Sequence, residues 1–105
     1  LASFYQRIPV AHVEAGLRTY DLSRPFPEEG LRQMITRITA LNFAPTQGAA
    51  NALLQEGIPP EIVYLTGNTV IDAQKWIIDH HQIRAKPSSK KQILVTMHRR
   101  ENWGN

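Results

Sequence analysis

The stretch VAHVEAGLRT, residues 10–19, gives the first indication of the fold. Its apolar start, bounded by Pro9 and Gly16, is typical of a short buried strand that ends at Glu14. An irregular loop rich in Arg, Ser, Asp and Pro follows over residues 15–26. A carboxylate directly after a buried strand faces the crevice at the end of a sheet, so Glu14 is a candidate functional group.

The rest of the chain alternates helical and strand patterns. Pro27 is predicted to open a helix, whose apolar residues recur at spacings of three and four and are expected to face the core. That stripe comprises Leu31, Met34, Ile35, Ile38 and Leu41. The further predicted elements are strands at 42–44, 62–65 and 92–97 and helices at 46–56 and 69–82. This alternation favours a parallel α/β sheet.

Each candidate site residue also has a plain structural interpretation. Glu14 could pair with Arg18 or cap a backbone group instead of moving protons. Glu28 and Glu29 lie in the first helical turn, where the helix dipole alone favours acidic residues. The two roles are compatible, because a helix N-terminus that faces a crevice can also bind phosphate.

A second cluster, His98-Arg99-Arg100, follows the last predicted strand. A histidine and guanidinium groups at a strand end suit an anionic ligand such as a phosphate. A solvated basic turn is the alternative. His12, inside an apolar strand, is expected to be a structural histidine.

Composition narrows the function classes. The chain has 105 residues, 42% hydrophobic and 20% charged, with a net charge of +3 and no cysteine. The absence of cysteine excludes a disulfide framework and a cysteine nucleophile, and it fits a reducing, cytoplasmic compartment. The positive charge can attract phosphates without requiring nucleic acid, and the apolar runs are too short to cross a bilayer. The sequence contains no HExxH, Walker or GxGxxG motif, so no motif points to a metal or a dinucleotide cofactor.

Four segments together resemble the non-hydrolysing UDP-N-acetylglucosamine 2-epimerases, in the order in which that family carries them. These segments are VAHVEAGLRT, PFPEEGLRQMITRITALNFAPT, TGNTVIDA and ILVTMHRREN. The resemblance implies Rossmann-like parallel-sheet segments within a two-domain GT-B-like fold. It places residues 1–67 at the end of the first domain and residues 68–105 at the start of the second. It also implies a fragment of a longer enzyme, and we expect the isolated fragment to be inactive.

The resemblance further implies an activity and its residues. Family members interconvert UDP-GlcNAc and UDP-ManNAc by eliminating and re-adding UDP, with inversion at sugar C2 and no cofactor. By position, Glu14 and Glu28 look like catalytic carboxylates, and His98 looks like a catalytic group that contacts substrate and the leaving diphosphate. Arg18 is a candidate for substrate binding or for support of its loop. Arg99, with Glu28, resembles residues associated with a second, activating UDP-GlcNAc.

Other interpretations stay open on the sequence alone. A hydrolysing relative would release ManNAc and UDP, and a non-catalytic module would only bind a UDP-sugar.

The resemblance also implies a homodimer and a supply of ManNAc units for cell-surface polysaccharides. Nucleic acid is not expected as a partner, because no clustered aromatic and basic face is visible. A membrane is not expected either, because the apolar runs are too short to span it.

Overall fold

Three short parallel strands organise the first part of the chain, as a computed structural model describing residues 1–82 and 88–96 shows. They are β1 (Ala11–Val13), β2 (Leu41–Ala44) and β3 (Val63–Leu65), in the order β1-β2-β3. Both pairings are parallel, so the carboxyl ends of all three strands share one edge. The predicted parallel α/β class is confirmed.

Helices precede, connect and follow the strands. They are α1 (Ala2–Tyr5), α2 (Glu28–Thr36), α3 (Gln47–Gln55) and α4 (Thr69–His80), with a 3₁₀ turn at Pro60–Ile62. The ends of α3 are those that the sequence predicts. The Thr46 hydroxyl accepts a hydrogen bond from the Ala49 amide at 3.1 Å, and Gly57 follows the helix with a φ of +78°. Such an N-cap and left-handed glycine satisfy backbone groups that a helix leaves unpaired.

A small core lies where α3 packs against β2 and β3. Its buried members are mostly alanines, which let helix and sheet approach closely, and Leu53 is the largest of them. The full cluster is Ala15, Ala44, Ala49, Ala50, Leu53 and Ile58, with Leu17, Ile62 and Val63 packed against it. Ala15 belongs to the loop after β1, so this core fixes the start of that loop.

The apolar stripe of α2 does not face the core, and that prediction was wrong. Leu31 is 46% exposed and Met34 59%, whereas the buried residues of α2 are Glu29 and Thr36. Apolar spacing alone does not show which face of a helix is covered. The face of α2 turned inward is polar, and its side chains are hydrogen-bonded to the loop that precedes it.

The chain divides into two compact units, Leu1–Thr69 and a second that begins at Val70. The boundary predicted after residue 67 stays a prediction, since domain identity needs the whole protein. In the second unit, the predicted strand at 92–97 is not formed over residues 92–96. A strand needs a neighbour, and the sheet that the structure describes lies wholly in the first unit. Ile93, Leu94 and Val95 are accordingly exposed.

Helix α4 has no buried residue. Trp76 is 60% exposed and stacks on His80 one turn later, with ring centroids 4.6 Å apart. Among the described residues, no helix combines the length and apolar character needed to cross a bilayer.

Candidate active site

Glu14 is the first residue after β1, at the edge where all three strands end. Its side chain is exposed, and its backbone has a φ of +61°, in the left-handed region that residues other than glycine rarely adopt. The next amide, of Ala15, donates to the Phe43 carbonyl at 2.9 Å. The chain thus stays attached to the sheet on both sides of a residue held in a strained conformation, and such strain clusters at functional sites.

Gly16 allows the loop after Glu14 to pass close over α3. Its φ is +83°, and a Cβ at this position would lie 2.1 Å from the Ala49 carbonyl oxygen and 3.0 Å from Leu53 Cγ. No side chain fits there. The glycine of the HVEAG motif therefore fixes the direction in which the chain leaves Glu14.

Arg18 stabilises the same loop through a buried ion pair and hydrogen bonds. Its side chain is 2% exposed, and its guanidinium forms a bidentate ion pair with Glu56, with Nε–Oε1 at 2.7 Å and Nη2–Oε2 at 3.0 Å. Two further hydrogen bonds reach the Leu17 carbonyl at 3.0 Å and Thr36 Oγ1 at 2.9 Å. A guanidinium committed in this way does not support the expectation that Arg18 binds substrate. The geometry favours its other predicted role, support of the loop.

We expect Arg18→Lys to lower the free energy of unfolding of the full-length protein by about 2 kcal/mol, because an ammonium cannot reproduce the bidentate fork. Arg24→Lys is the matched control, since Arg24 is exposed in the same loop and should change stability by less than about 0.5 kcal/mol. Urea denaturation measures both. Equal effects of the two substitutions would contradict a structural role for the Arg18 fork.

Glu29 is the residue whose importance the sequence analysis missed. Its side chain is fully buried, and its carboxylate accepts hydrogen bonds from the Thr19 amide at 3.1 Å, the Tyr20 amide at 3.2 Å and Gln33 Nε2 at 2.8 Å. On the sequence alone, Glu29 is explained by its place in the first helical turn, where the helix dipole favours an acidic residue. The one available signal was a glutamine four residues later, which lies on the same helix face.

The environment of Glu29 keeps it ionised. Burial by itself raises the pKa of the carboxyl, but the hydrogen bonds from Gln33, Thr19 and Tyr20, with the nearby Arg18 charge, outweigh burial and hold the pKa below its ordinary value. A depressed pKa in the folded state means that Glu29 stabilises the fold above its unfolded pKa. That contribution is lost as the pH falls through the folded pKa.

We therefore expect the stability difference between the wild type and Glu29→Gln to be largest near neutral pH and to shrink below about pH 4.3, the ordinary pKa of a glutamate. Urea denaturation of the full-length protein from pH 7 to pH 3 measures it. A difference that stays constant across this range would show that the charge of Glu29 plays no part.

Glu28 occupies the first position of α2 and is exposed, beside the buried Glu29. Within the described residues, the side chains of Glu14 and Glu28 form neither hydrogen bonds nor ion pairs, so both carboxylates are available to a ligand. They stand at the two ends of the loop that Arg18 and Glu29 brace. The two predicted carboxylates therefore flank one loop, whose conformation is held by the hydrogen bonds of Arg18 and Glu29.

His12 lies in the middle of β1 and is half-buried. Burial, followed by the charges of Arg18 and Arg32, lowers its pKa, so the ring is neutral at physiological pH. Its register partner on β2 is the buried Asn42. This position within the sheet fits a structural histidine.

His98 and Arg99 lie outside the described residues, so their predicted roles stay predictions. Among the residues that are described, no group of three or more histidine or acidic side chains could hold a metal ion.

Comparison with known proteins gives one consistent result. The family model described as UDP-N-acetylglucosamine 2-epimerase matches residues 1–105. Proteins named UDP-N-acetylglucosamine 2-epimerase from Salmonella typhimurium and Escherichia coli K12 are 48% and 45% identical over 99% of the chain, which covers 31% of each.

Solved structures agree with the sequence relatives. A Staphylococcus aureus MnaA structure with UDP matches with a TM-score of 0.83 and 49% identity, covering 98% of this chain and 29% of that one. A Neisseria meningitidis UDP-GlcNAc 2-epimerase bound to UDP-GlcNAc matches with a TM-score of 0.75 and 50% identity, over 78% of this chain and 22% of that one. These neighbours confirm the GT-B-like α/β class. The chain spans under a third of the length of these relatives, and it belongs to the UDP-N-acetylglucosamine 2-epimerase family.

Proposed function

We propose that the full-length protein carrying this segment interconverts UDP-GlcNAc and UDP-ManNAc by elimination and re-addition of UDP. The observation that carries the proposal is Glu14, an exposed carboxylate in a strained conformation at the carboxyl edge of the sheet. Ligands of open parallel sheets bind at this edge. Family membership over the whole chain supplies the substrate class.

The reaction requires proton transfer at sugar C2. A base removes the C2 proton, a double bond forms between C1 and C2, and the C1–O bond breaks, so that UDP leaves with the electron pair. Protonation of C2 on the opposite face and return of UDP to C1 give the epimer. Inversion therefore needs acid–base groups on both faces of the ring, and the unpaired Glu14 and Glu28 are suited to such work.

The remaining parts of the proposal concern residues outside the described ranges or the whole protein. We propose His98 as the group that meets the departing diphosphate, because a cationic partner stabilises the charge that develops there. Arg99 and Glu28 are proposed contacts of a second UDP-GlcNAc that activates the enzyme. A cytoplasmic homodimer that supplies ManNAc units for cell-surface polysaccharides completes the proposal.

Product analysis by NMR of the full-length protein with UDP-GlcNAc tests this proposal. We expect UDP-ManNAc to appear and to reach a fixed ratio with UDP-GlcNAc, and the same ratio to be reached from UDP-ManNAc. Accumulation of free ManNAc and UDP would instead identify the hydrolysing alternative. Tight UDP-sugar binding without any product would identify a non-catalytic module.

A further inference from the structure

We propose that Glu29 is a positioning residue for this reaction: its buried carboxylate holds the middle of the loop, at residues 19 and 20, against α2, and thereby sets the placement of Glu28 relative to Glu14. The inference rests on the proposed function, because the position that matters is defined by that reaction. It adds a residue that does not touch substrate but acts through two residues that do.

The first support is the division of roles within the acidic pair. Glu28 is exposed, whereas the next residue, Glu29, is fully buried and points back towards the preceding loop. A buried carboxylate is costly unless it is fully hydrogen-bonded. Glu29 meets this condition with three donors, and two of them are consecutive loop amides, of Thr19 and Tyr20.

The second support is the place that these two amides occupy. They lie in the middle of the loop, after Arg18, which is fixed through Glu56, and before the turn at 21–24, where the Arg24 amide donates to the Asp21 carbonyl at 2.9 Å. The middle of the loop has little apolar burial of its own, because Tyr20 and Leu22 are exposed. The conformation of this part of the loop therefore depends on polar contacts, and Glu29 provides those that join the Thr19 and Tyr20 amides to α2.

The third support is the position of the two catalytic candidates at the two ends of this loop. Glu14 begins the segment and Glu28 ends it, and Glu29 is adjacent to Glu28 in the first turn of α2. The start of the loop is held by the core and by the Arg18–Glu56 pair, so holding its middle against α2 sets the position of Glu28 relative to Glu14. Catalytic groups displaced by about 1 Å can lose about 10²-fold in rate, so this bracing has a kinetic consequence.

The test compares three substitutions in the full-length protein: Glu29→Gln keeps the side-chain length without the charge, and Glu29→Asp keeps the charge but shortens the reach. Ile58→Val is the control, because it trims the core of the same unit without removing any hydrogen bond of the loop. The measurements are kcat and KM for UDP-GlcNAc, together with hydrogen exchange at the Thr19 and Tyr20 amides. Glu29→Asp also serves if Glu29→Gln fails to fold.

We expect both Glu29 variants to lose protection at the Thr19 and Tyr20 amides and to lower kcat about 10²-fold, with KM changed less than about threefold. Ile58→Val should leave kcat and both amides unchanged. Loss of amide protection with wild-type kcat would overturn the positioning role, and so would unchanged protection. A wild-type protein that does not convert UDP-GlcNAc at all would instead overturn the proposed function, which separates the two failures.

Discussion

Glu14→Gln in the full-length protein is expected to reduce interconversion of UDP-GlcNAc and UDP-ManNAc by about 10³-fold or more. General acid–base groups contribute typically about 10²–10⁴-fold, and an amide can neither accept nor deliver the C2 proton. The substitution keeps the size of the side chain. Because the Glu14 side chain is exposed and forms no hydrogen bond or ion pair with the described residues, the substitution should leave stability unchanged.

Glu61→Gln is the matched control for this substitution. Glu61 is also an exposed glutamate of the first unit, but it lies in the 3₁₀ turn before β3, at the opposite end of that strand from the proposed site. The measurements are kcat/KM for both variants and their urea midpoints. Turnover by Glu14→Gln that approaches the wild-type rate would remove Glu14 from the catalytic groups.

Gly16→Ala is expected to lower the free energy of unfolding by about 4 kcal/mol. Forcing an added carbon into packed atoms costs about 1–3 kcal/mol, and a left-handed conformation costs a residue other than glycine about 1–2 kcal/mol. Both costs apply here, because the new Cβ would meet the Ala49 backbone at 2.1 Å and the φ is +83°.

Gly57→Ala separates the two contributions. Gly57 also has a positive φ, of +78°, but a Cβ there would meet nothing within 4 Å. This variant should lose only the backbone term, about 1–2 kcal/mol. Urea denaturation of the two full-length variants provides the comparison. Equal losses would show that the close approach of Gly16 to α3 does not determine the path of the loop.

The sequence was sufficient where the signal is local. The helix α3 follows from Thr46 and Gly57, whose side-chain and backbone chemistry specify its ends without help from the rest of the fold. The alternation of short apolar runs with helices likewise predicted a parallel sheet. Glu14 was placed correctly after a strand end because a strand and a following glycine define that position.

The sequence was insufficient where the outcome depends on which partner covers a face. The apolar stripe of α2 was predicted to be buried, but Glu29 and Thr36 are the buried residues, since the adjoining loop offers hydrogen bonds rather than apolar surface. Periodicity identifies a face but not the neighbour that it contacts. For the same reason, the sequence of residues 92–96 has the pattern of a strand, although no strand of the described sheet pairs with them.

Proton exchange at sugar C2 in ²H₂O tests the central claim most directly, since it reports the proposed bond-breaking step itself. Full-length protein incubated with UDP-GlcNAc in ²H₂O should yield UDP-ManNAc carrying deuterium at C2, seen by NMR as loss of the C2 proton signal. Glu14→Gln should leave that signal intact over the same period. Unlabelled UDP-GlcNAc recovered unchanged from the wild-type protein, or exchange that persists in Glu14→Gln at the wild-type rate, would contradict the account.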